Sequence, residues 1–380
     1  AKYKNGIHSK GDLKITGGYI TINSTNDGIK GKNRVVVKGG NITVKAGGDG
    51  IQSNNIEEQG KGHVSIEGGV IKITAGGDGI QAQSDVIIGG GNITIFSGSG
   101  SNSVNKSSSW GNRGRAIYNT GSASKSAKGI KAGTDLTING GIIIIDSSDD
   151  SLHSGKTLKI NNGKITLASG DDAVHANSNI EINGGDINIT KCYEGIESSV
   201  ITINDGKIRL ASSDDGINGV SENRTRSMGW GGRGFEGGGN NSLNINGGYI
   251  AVDAYGDGFD INGPINMTGG TVIISGPTDN MNGPLDYSWG FNITGGFIVA
   301  VGSSGMAMAP GGTSSSTQYS LMLYLSSWQE GGTIVHIESE NGEEILTFSP
   351  VKAYSSVALS SPKLKNGSTY LVYTGGTSTG

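Results

Sequence analysis

The chain has 380 residues, of which 69 are Gly, with a net charge of −4 and only 29 Lys and Arg. So few cations on a weakly acidic chain give a nucleic-acid groove no electrostatic support, which excludes that class of partner. The single Cys192 rules out an intramolecular disulfide framework and a thiolate metal cluster, and no apolar run approaches the roughly 18 residues that would predict membrane insertion.

From about residue 11 a short unit recurs: two aliphatics one residue apart, a Gly-rich turn, two more aliphatics, then an acid before Gly-Ile or its equivalent. Leu13, Ile15, Gly17, Gly18, Ile20 and Ile22 lead to Asp27, Gly28 and Ile29, and Val64, Ile66, Gly68, Gly69, Ile71 and Ile73 lead to Asp78, Gly79 and Ile80. Leu158, Ile160, Gly163, Ile165 and Leu167 lead in the same way to Asp171, Asp172, Ala173 and Val174. The turns begin near residues 17, 39, 68, 90, 140, 162, 184, 205, 247, 269 and 295, so the commonest step is about 22 residues. Aliphatics alternating with polar residues mark strands with one buried face, and no segment keeps helical spacing. Copies that cannot bury that face alone can do so by stacking. The expected fold is therefore all-β, a right-handed parallel β-helix of about eleven coils over residues 1–316. Gly47, Gly48, Asp49 and Gly50 resemble a nonapeptide calcium roll, but the 22-residue period rules against it.

Two insertions interrupt the coils. The first, near residues 98–127, carries Trp110, Arg113, Arg115 and Tyr118, and the second, near 220–242, carries Trp230, Arg233 and Phe235. Beyond 317 the repeat stops. Alternating stretches at 319–325, 333–337 and 345–348, with Asn341 and Gly342 between the last two, predict a C-terminal antiparallel β cap over residues 317–380. Residues 1–12 lack the plan of a signal peptide. The Asn-, Ser- and Thr-rich faces and lone Cys suit a bacterial protein that is secreted or held at the cell surface.

Stacking places equivalent acids above one another, in a ladder of Asp27, Asp49, Asp78, Asp150, Asp172, Glu194, Asp215, Asp257 and Asp279. Two carboxylates ~4.8 Å apart repel by roughly 3.5 kcal/mol at an effective dielectric of 20. Nearby cations are few, mainly Lys131 and Lys191, so raised pKa values or bound metal must relieve the repulsion. Clustered carboxylate oxygen without thiol favours Ca²⁺, and the candidate ligands are Asp149, Asp150, Asp171, Asp172, Glu194, Asp214 and Asp215. Single Asp-Gly steps such as Asp49, Asp78 and Asp257 serve equally well to shape their own turns by Asx hydrogen bonding.

Three residues after each ladder acid runs a polar column of Lys30, Gln52, Gln81, Lys131, His153, His175, Glu197, Asn218 and Asp260. Its strand spacing roughly matches the repeat of an extended polysaccharide. Lys131, His153 and His175 are candidates for holding sugar hydroxyls, although two His on one edge also read as solvated surface. Trp110 and Trp230 offer flat apolar faces to a pyranose, or else anchor their loops, and Arg113, Arg115 and Arg233 can fork onto a uronate carboxylate.

Rungs of Ile-x-Gly-Gly-x-Ile-x-Ile followed by Asp-Asp-Gly-Ile or Asp-Asp-Ala-Val resemble the clostridial carbohydrate-binding β-helix proteins, which are similar to the family 9 pectate lyases. The resemblance covers residues 11–316. It implies bound calcium and affinity for cellulose or acidic pectic chains, with Asp149, Asp150, Asp171, Asp172, Asp214 and Asp215 as the matching calcium positions. At the third of these coils the doublet becomes Tyr193 and Glu194, which breaks a uniform array. The lyases abstract the proton α to a uronate carboxylate with a basic residue; no motif here fixes it, and Lys131 and Lys191 are the candidates.

The reading that follows is a calcium-binding, non-catalytic protein for plant cell-wall polysaccharide, polygalacturonate or pectin and also cellulose. The alternative is a calcium-dependent pectate lyase acting by β-elimination. A third reading is a structural rod whose ladder binds calcium only for stability.

Overall fold

The computed structural model describes residues 4–103, 126–220 and 240–378. They fall into two compact units, one formed by residues up to Ala176 with Gly185–Glu194, the other by Asn177–Gly184 with the chain from Gly195 onward. Apart from one 3-10 turn at Ser101–Ser103, every described element is a strand. The candidate sugar contacts Trp110, Arg113, Arg115, Trp230 and Arg233 lie outside the described residues.

Most coils of the first unit supply three strands, exemplified by Ile29–Gly31, Arg34–Val37 and Asn41–Ala46. Alternation along the last sends Ile42, Val44 and Ala46 inward and leaves Asn41, Thr43 and Lys45 outside. Successive coils pair in parallel, so Ile7, Ile29, Ile51, Ile80, Ile130, Leu152 and Val174 stand in one column through seven coils. From Ile29 onward every member is fully buried. Each contributes ~1.5–3 kcal/mol of burial before the entropic cost, so the stack is stabilised rung by rung. Ile80 pairs directly with Ile130, which means the first insertion leaves the column between two coils without disturbing its register.

The second unit repeats the plan with Ile196, Ile217, Phe259 and Leu285 in one column. Its stack ends at the strand Phe297–Gly302, which pairs antiparallel with Tyr354–Ser360, and that strand pairs in turn with Ser320–Gln329. A three-stranded antiparallel sheet, with Val335–Ser339 between Glu344–Phe348 and Tyr370–Thr374, completes the cap. Gly342, at φ +78, turns the first of its hairpins. Val299 and Val301 are buried with Val335, Ile337, Tyr354 and Val357, so the cap covers the apolar surface the last coil would expose.

Glycine serves this architecture in two ways. Gly40 takes φ +109 at its turn, and a Cβ there would stand 2.9 Å from the Gly18 carbonyl oxygen one coil away. Gly50 needs no left-handed backbone, yet its Cβ would lie 2.5 Å from the Gly79 carbonyl oxygen and closer still to the Ile73 side chain. Gly28 and Gly79 are enclosed as tightly at the same position, whereas Ser151 and Ala173 follow Asp150 and Asp172, so the requirement belongs to the Gly-bearing coils and not to the whole ladder. Gly50→Ala is expected to cost about 1–3 kcal/mol by overpacking, read as a lower denaturation midpoint. Gly17→Ala, whose Cβ meets nothing within 4 Å, should shift that midpoint little.

Candidate functional site

The ladder acids are bonded in a repeating way. Asp27 accepts the Asp49 N–H on Oδ1 (3.2 Å) and pairs through Oδ2 with Lys30 (2.8 Å). Asp49 accepts the Asp78 N–H on Oδ1 (2.9 Å), and its Oδ2 accepts from Gln52. Asp78 accepts the Lys128 N–H and the Ser126 hydroxyl, both at 2.8 Å. Asp150 accepts the Asp172 N–H (3.2 Å) on one oxygen and faces His153 Nδ1 (2.8 Å) with the other, while Asp172 faces His175 Nδ1 at 3.0 Å. In the second unit Asp215 accepts the Asp257 N–H (2.7 Å), and Asp257 that of Gly283 (2.6 Å). The turn-shaping expected of Asp49, Asp78 and Asp257 is corrected accordingly: these oxygens reach the amide of the following coil, while the second oxygen of Asp49 holds Gln52, three positions on, and that of Asp78 lies 3.8 Å from Lys131.

Two ladder assignments also change. Lys128, before Gly129 and Ile130, occupies the ladder position between Asp78 and Asp150, since the Gly79 N–H bonds its carbonyl as the Gly129 N–H bonds that of Asp150. Its ammonium donates to Asp149 Oδ1 (2.8 Å) and Asp150 Oδ2 (2.6 Å), so Lys128 is the main countercharge of the doublet. Asp279 is out of register: Leu285 pairs with Phe259, which leaves Gly283 at the ladder position, and Asp279 instead accepts the Met281 N–H at 2.8 Å. Glu194 does stand in the ladder, its carbonyl accepting the Ala173 N–H at 3.0 Å.

Charge is compensated unevenly. Burial pushes the Asp150 carboxyl up, but the hydrogen bond from His153 and the charges of Lys128, His153 and His175 override it and hold Asp150 well below the usual carboxylate range. Burial, reinforced by Asp150, Glu194 and Asp171, pushes Asp172 well above that range despite the bond from His175. Among the described residues, three groupings that lie within a single unit bring ligand atoms within 4.8 Å of one another: Asp149, Asp150 and Asp171; Asp150, Asp172 and His175; and, in the second unit, Asp257, Asp260 and Asp286. The last was missed in the sequence because Pro284 and Leu285 replace Gly-Ile ahead of Asp286. Burial raises Asp257 to about 7, with Asp260, Asp286 and Asp214 adding to the shift and the Gly283 N–H opposing it.

The polar column runs in register through Lys30, Gln52, Gln81, Lys131, His153 and His175 in the first unit, and through Glu197, Asn218, Asp260 and Asp286 in the second. The His153 and His175 rings stack at 5.0 Å with 5° between their planes. Both are largely enclosed, 18% and 10% exposed, so they are part of a hydrogen-bonded edge rather than loose surface groups. Nδ1 of each ring is the nitrogen that faces its carboxylate. Lys131 lies 3.8 Å from Asp78. Lys191 lies apart from the column, donating to the Ser101 carbonyl (2.9 Å) and the Asn102 amide oxygen (3.0 Å). Asp171 and Asp214 precede the ladder acids Asp172 and Asp215, and their carbonyls accept the N–H groups of Tyr193 and Gly256, both at 2.9 Å.

Burial, with Asp78 as the nearest like charge, raises Asp49 to about 6 against the hydrogen bonds from Asp78 and Gln52. A carboxyl raised on folding contributes stability that is fully present below its unfolded pKa near 4 and is lost as pH rises through 6. Asp49→Asn keeps an oxygen for the Asp78 amide, and a flipped Gln52 amide, whose Oε1 has no partner, can accept from the new Nδ2. This variant should be more stable than the parent by about 1–2 kcal/mol at pH 8. The advantage should vanish near pH 4; denaturation at both pH values checks it.

Residues 1–173 match the sequence profile of a family described as carbohydrate-binding domain-containing protein. The matched stretch holds Lys131, Asp149, Asp150, His153, Asp171 and Asp172 and ends just short of His175. Neither curated proteins nor solved structures give a match. The profile match supports a carbohydrate partner for the chain.

Proposed function

We propose that the protein is a non-catalytic, calcium-binding receptor for acidic plant cell-wall polysaccharide, polygalacturonate above all, working outside a bacterial cell or on its surface. The observation that carries this reading is the in-register edge on which Lys131, His153 and His175 run beside the carboxylates of Asp149, Asp150, Asp171 and Asp172. A column of donors and acceptors at strand spacing suits successive sugars of an extended chain. The profile match over residues 1–173 supports the same partner class.

The donor sets differ in how well they fit calcium. Asp257, Asp260 and Asp286 form an all-oxygen set, the chemistry a hard cation prefers. Asp149, Asp150 and Asp171 are also all oxygen, but Lys128 already neutralises part of their charge. His175 makes the remaining set less suited to calcium. Bound calcium supplies positive charge that lets an anionic edge accept a uronate. The chain's own part is to hold the carboxylates in place through the amides of neighbouring coils and to present the imidazoles to hydroxyls. Lys131, engaged beside Asp78, and Lys191, bonded to Ser101 and Asn102, are read as structural cations.

Incubation with insoluble polygalacturonate, with calcium or with excess chelator, tests the proposal when sedimented protein and ultraviolet absorbance are read from the same tube. The expected result is calcium-dependent sedimentation with flat absorbance. Rising absorbance from unsaturated product would establish a lyase, and no sedimentation would leave a structural rod. Replacing Asp171 and Asp172 together by Asn should weaken retention and lower the melting temperature in calcium.

A further inference from the structure

The second unit contains an open groove of about 670 Å³ between the segment 309–318 and the beginning of the strand Ser320–Gln329. That volume falls in the range of small-ligand sites. No Asp, Glu, Lys, Arg or His lines it. Thr313, Ser316, Thr317 and Gln318 supply hydroxyls and an amide, and Tyr319, half exposed, supplies an aromatic ring.

The walls are held in place. Thr313 donates to Asn292 Oδ1 at 2.7 Å, and Gln318 Nε2 donates to the Gly296 carbonyl at 3.0 Å and the Ser360 hydroxyl at 2.9 Å. Little side-chain entropy therefore remains to be lost when a ligand binds. Leu321 and Met322 both line the groove; Leu321, Leu323 and Leu325 also pack against the cap core, and alternation puts Tyr324 on the same strand face as Met322. Tyr324 is 63% exposed and its hydroxyl reaches the Ala307 carbonyl at 3.5 Å, which extends an aromatic surface beyond the groove.

A pyranose has an apolar C–H face and a rim of hydroxyls, and it is served by an aromatic ring set among neutral hydroxyl and amide groups. A uronate would leave its carboxylate without a cation here, at a cost. We infer that this groove is a second, metal-independent carbohydrate site, taking a short stretch of uncharged glycan with Tyr319 and Tyr324 as its apolar platforms. It lies outside the residues of the profile match and stands independently of the calcium-dependent reading of the acidic edge.

The test is calorimetric titration of the full chain with cellohexaose, xylohexaose and mannohexaose in excess chelator, which silences calcium-dependent binding. Saturable binding of at least one probe is expected. Tyr324→Ala should weaken it on the order of tenfold, about 1.4 kcal/mol, and Thr317→Trp, which fills the groove with an indole, should abolish it. Both variants should keep the parental melting temperature and calcium-dependent retention on polygalacturonate. The inference is overturned by absence of saturable heat with all of these probes, or by binding that survives both substitutions. Failure of the acidic-edge reading would show instead in the calcium arm with polygalacturonate, leaving the chelator arm unaffected.

Discussion

Stacking coils in register sets most side chains beside their own counterparts, and the rest of the molecule answers to that constraint. For aliphatics it is favourable, since Ile on Ile fills the interior without voids. For carboxylates it is costly, because neighbours at strand spacing repel by roughly 3.5 kcal/mol at an effective dielectric of 20. The chain tolerates the acids by giving each a task. One oxygen of Asp27, Asp49 and Asp150 satisfies the amide of the following coil and the other holds the residue three positions on, as an oxygen of Asp172 holds His175. The ladder is therefore part of the backbone hydrogen-bond network, and the polar column inherits its order from it.

The same constraint explains why charge neutralisation is local. Lys128 settles the Asp149 and Asp150 pair, and Asp150 ionises readily. Asp172, one coil on, has His175 but also Asp171 and Glu194, and burial with these like charges pushes its carboxyl up. Asp257 gathers Asp260 and Asp286 with the same effect. Protons and a divalent cation are alternative answers to such excess charge, so metal binding and pH are linked at these positions by electrostatics alone.

Most of the fold is legible in the sequence, because Gly turns and Ile-x-Ile alternation are local signals repeated until they leave one solution. The column Lys131, His153, His175 follows from the Gly-Ile phase and falls in register in the structure. The errors arise where that phase is hidden. Lys128 is hidden because an insertion precedes it and its side chain is not acidic, although Gly129 and Ile130 mark the position. Asp279 is an acid near the right interval, but its coil carries Pro277 and Pro284 and lacks Asp-Gly-Ile. The bonds from carboxylate oxygen to the amide one coil away could not be read at all, since an Asp before Gly looks the same whether it closes its own turn or supports the next. The groove beside Tyr319 depends on how the cap folds over the last coil, and no repeat announces it.

If calcium is the ion that these acidic edges hold, it must displace the protons that burial and like charge favour there. Calorimetric titration with calcium near pH 7, repeated in buffers of different ionisation enthalpy, measures the protons displaced as the ion binds. The account predicts saturable binding with net proton release, reduced when Asp172 or Asp257 is replaced by Asn. Absence of calcium binding, or binding without proton release, would contradict it.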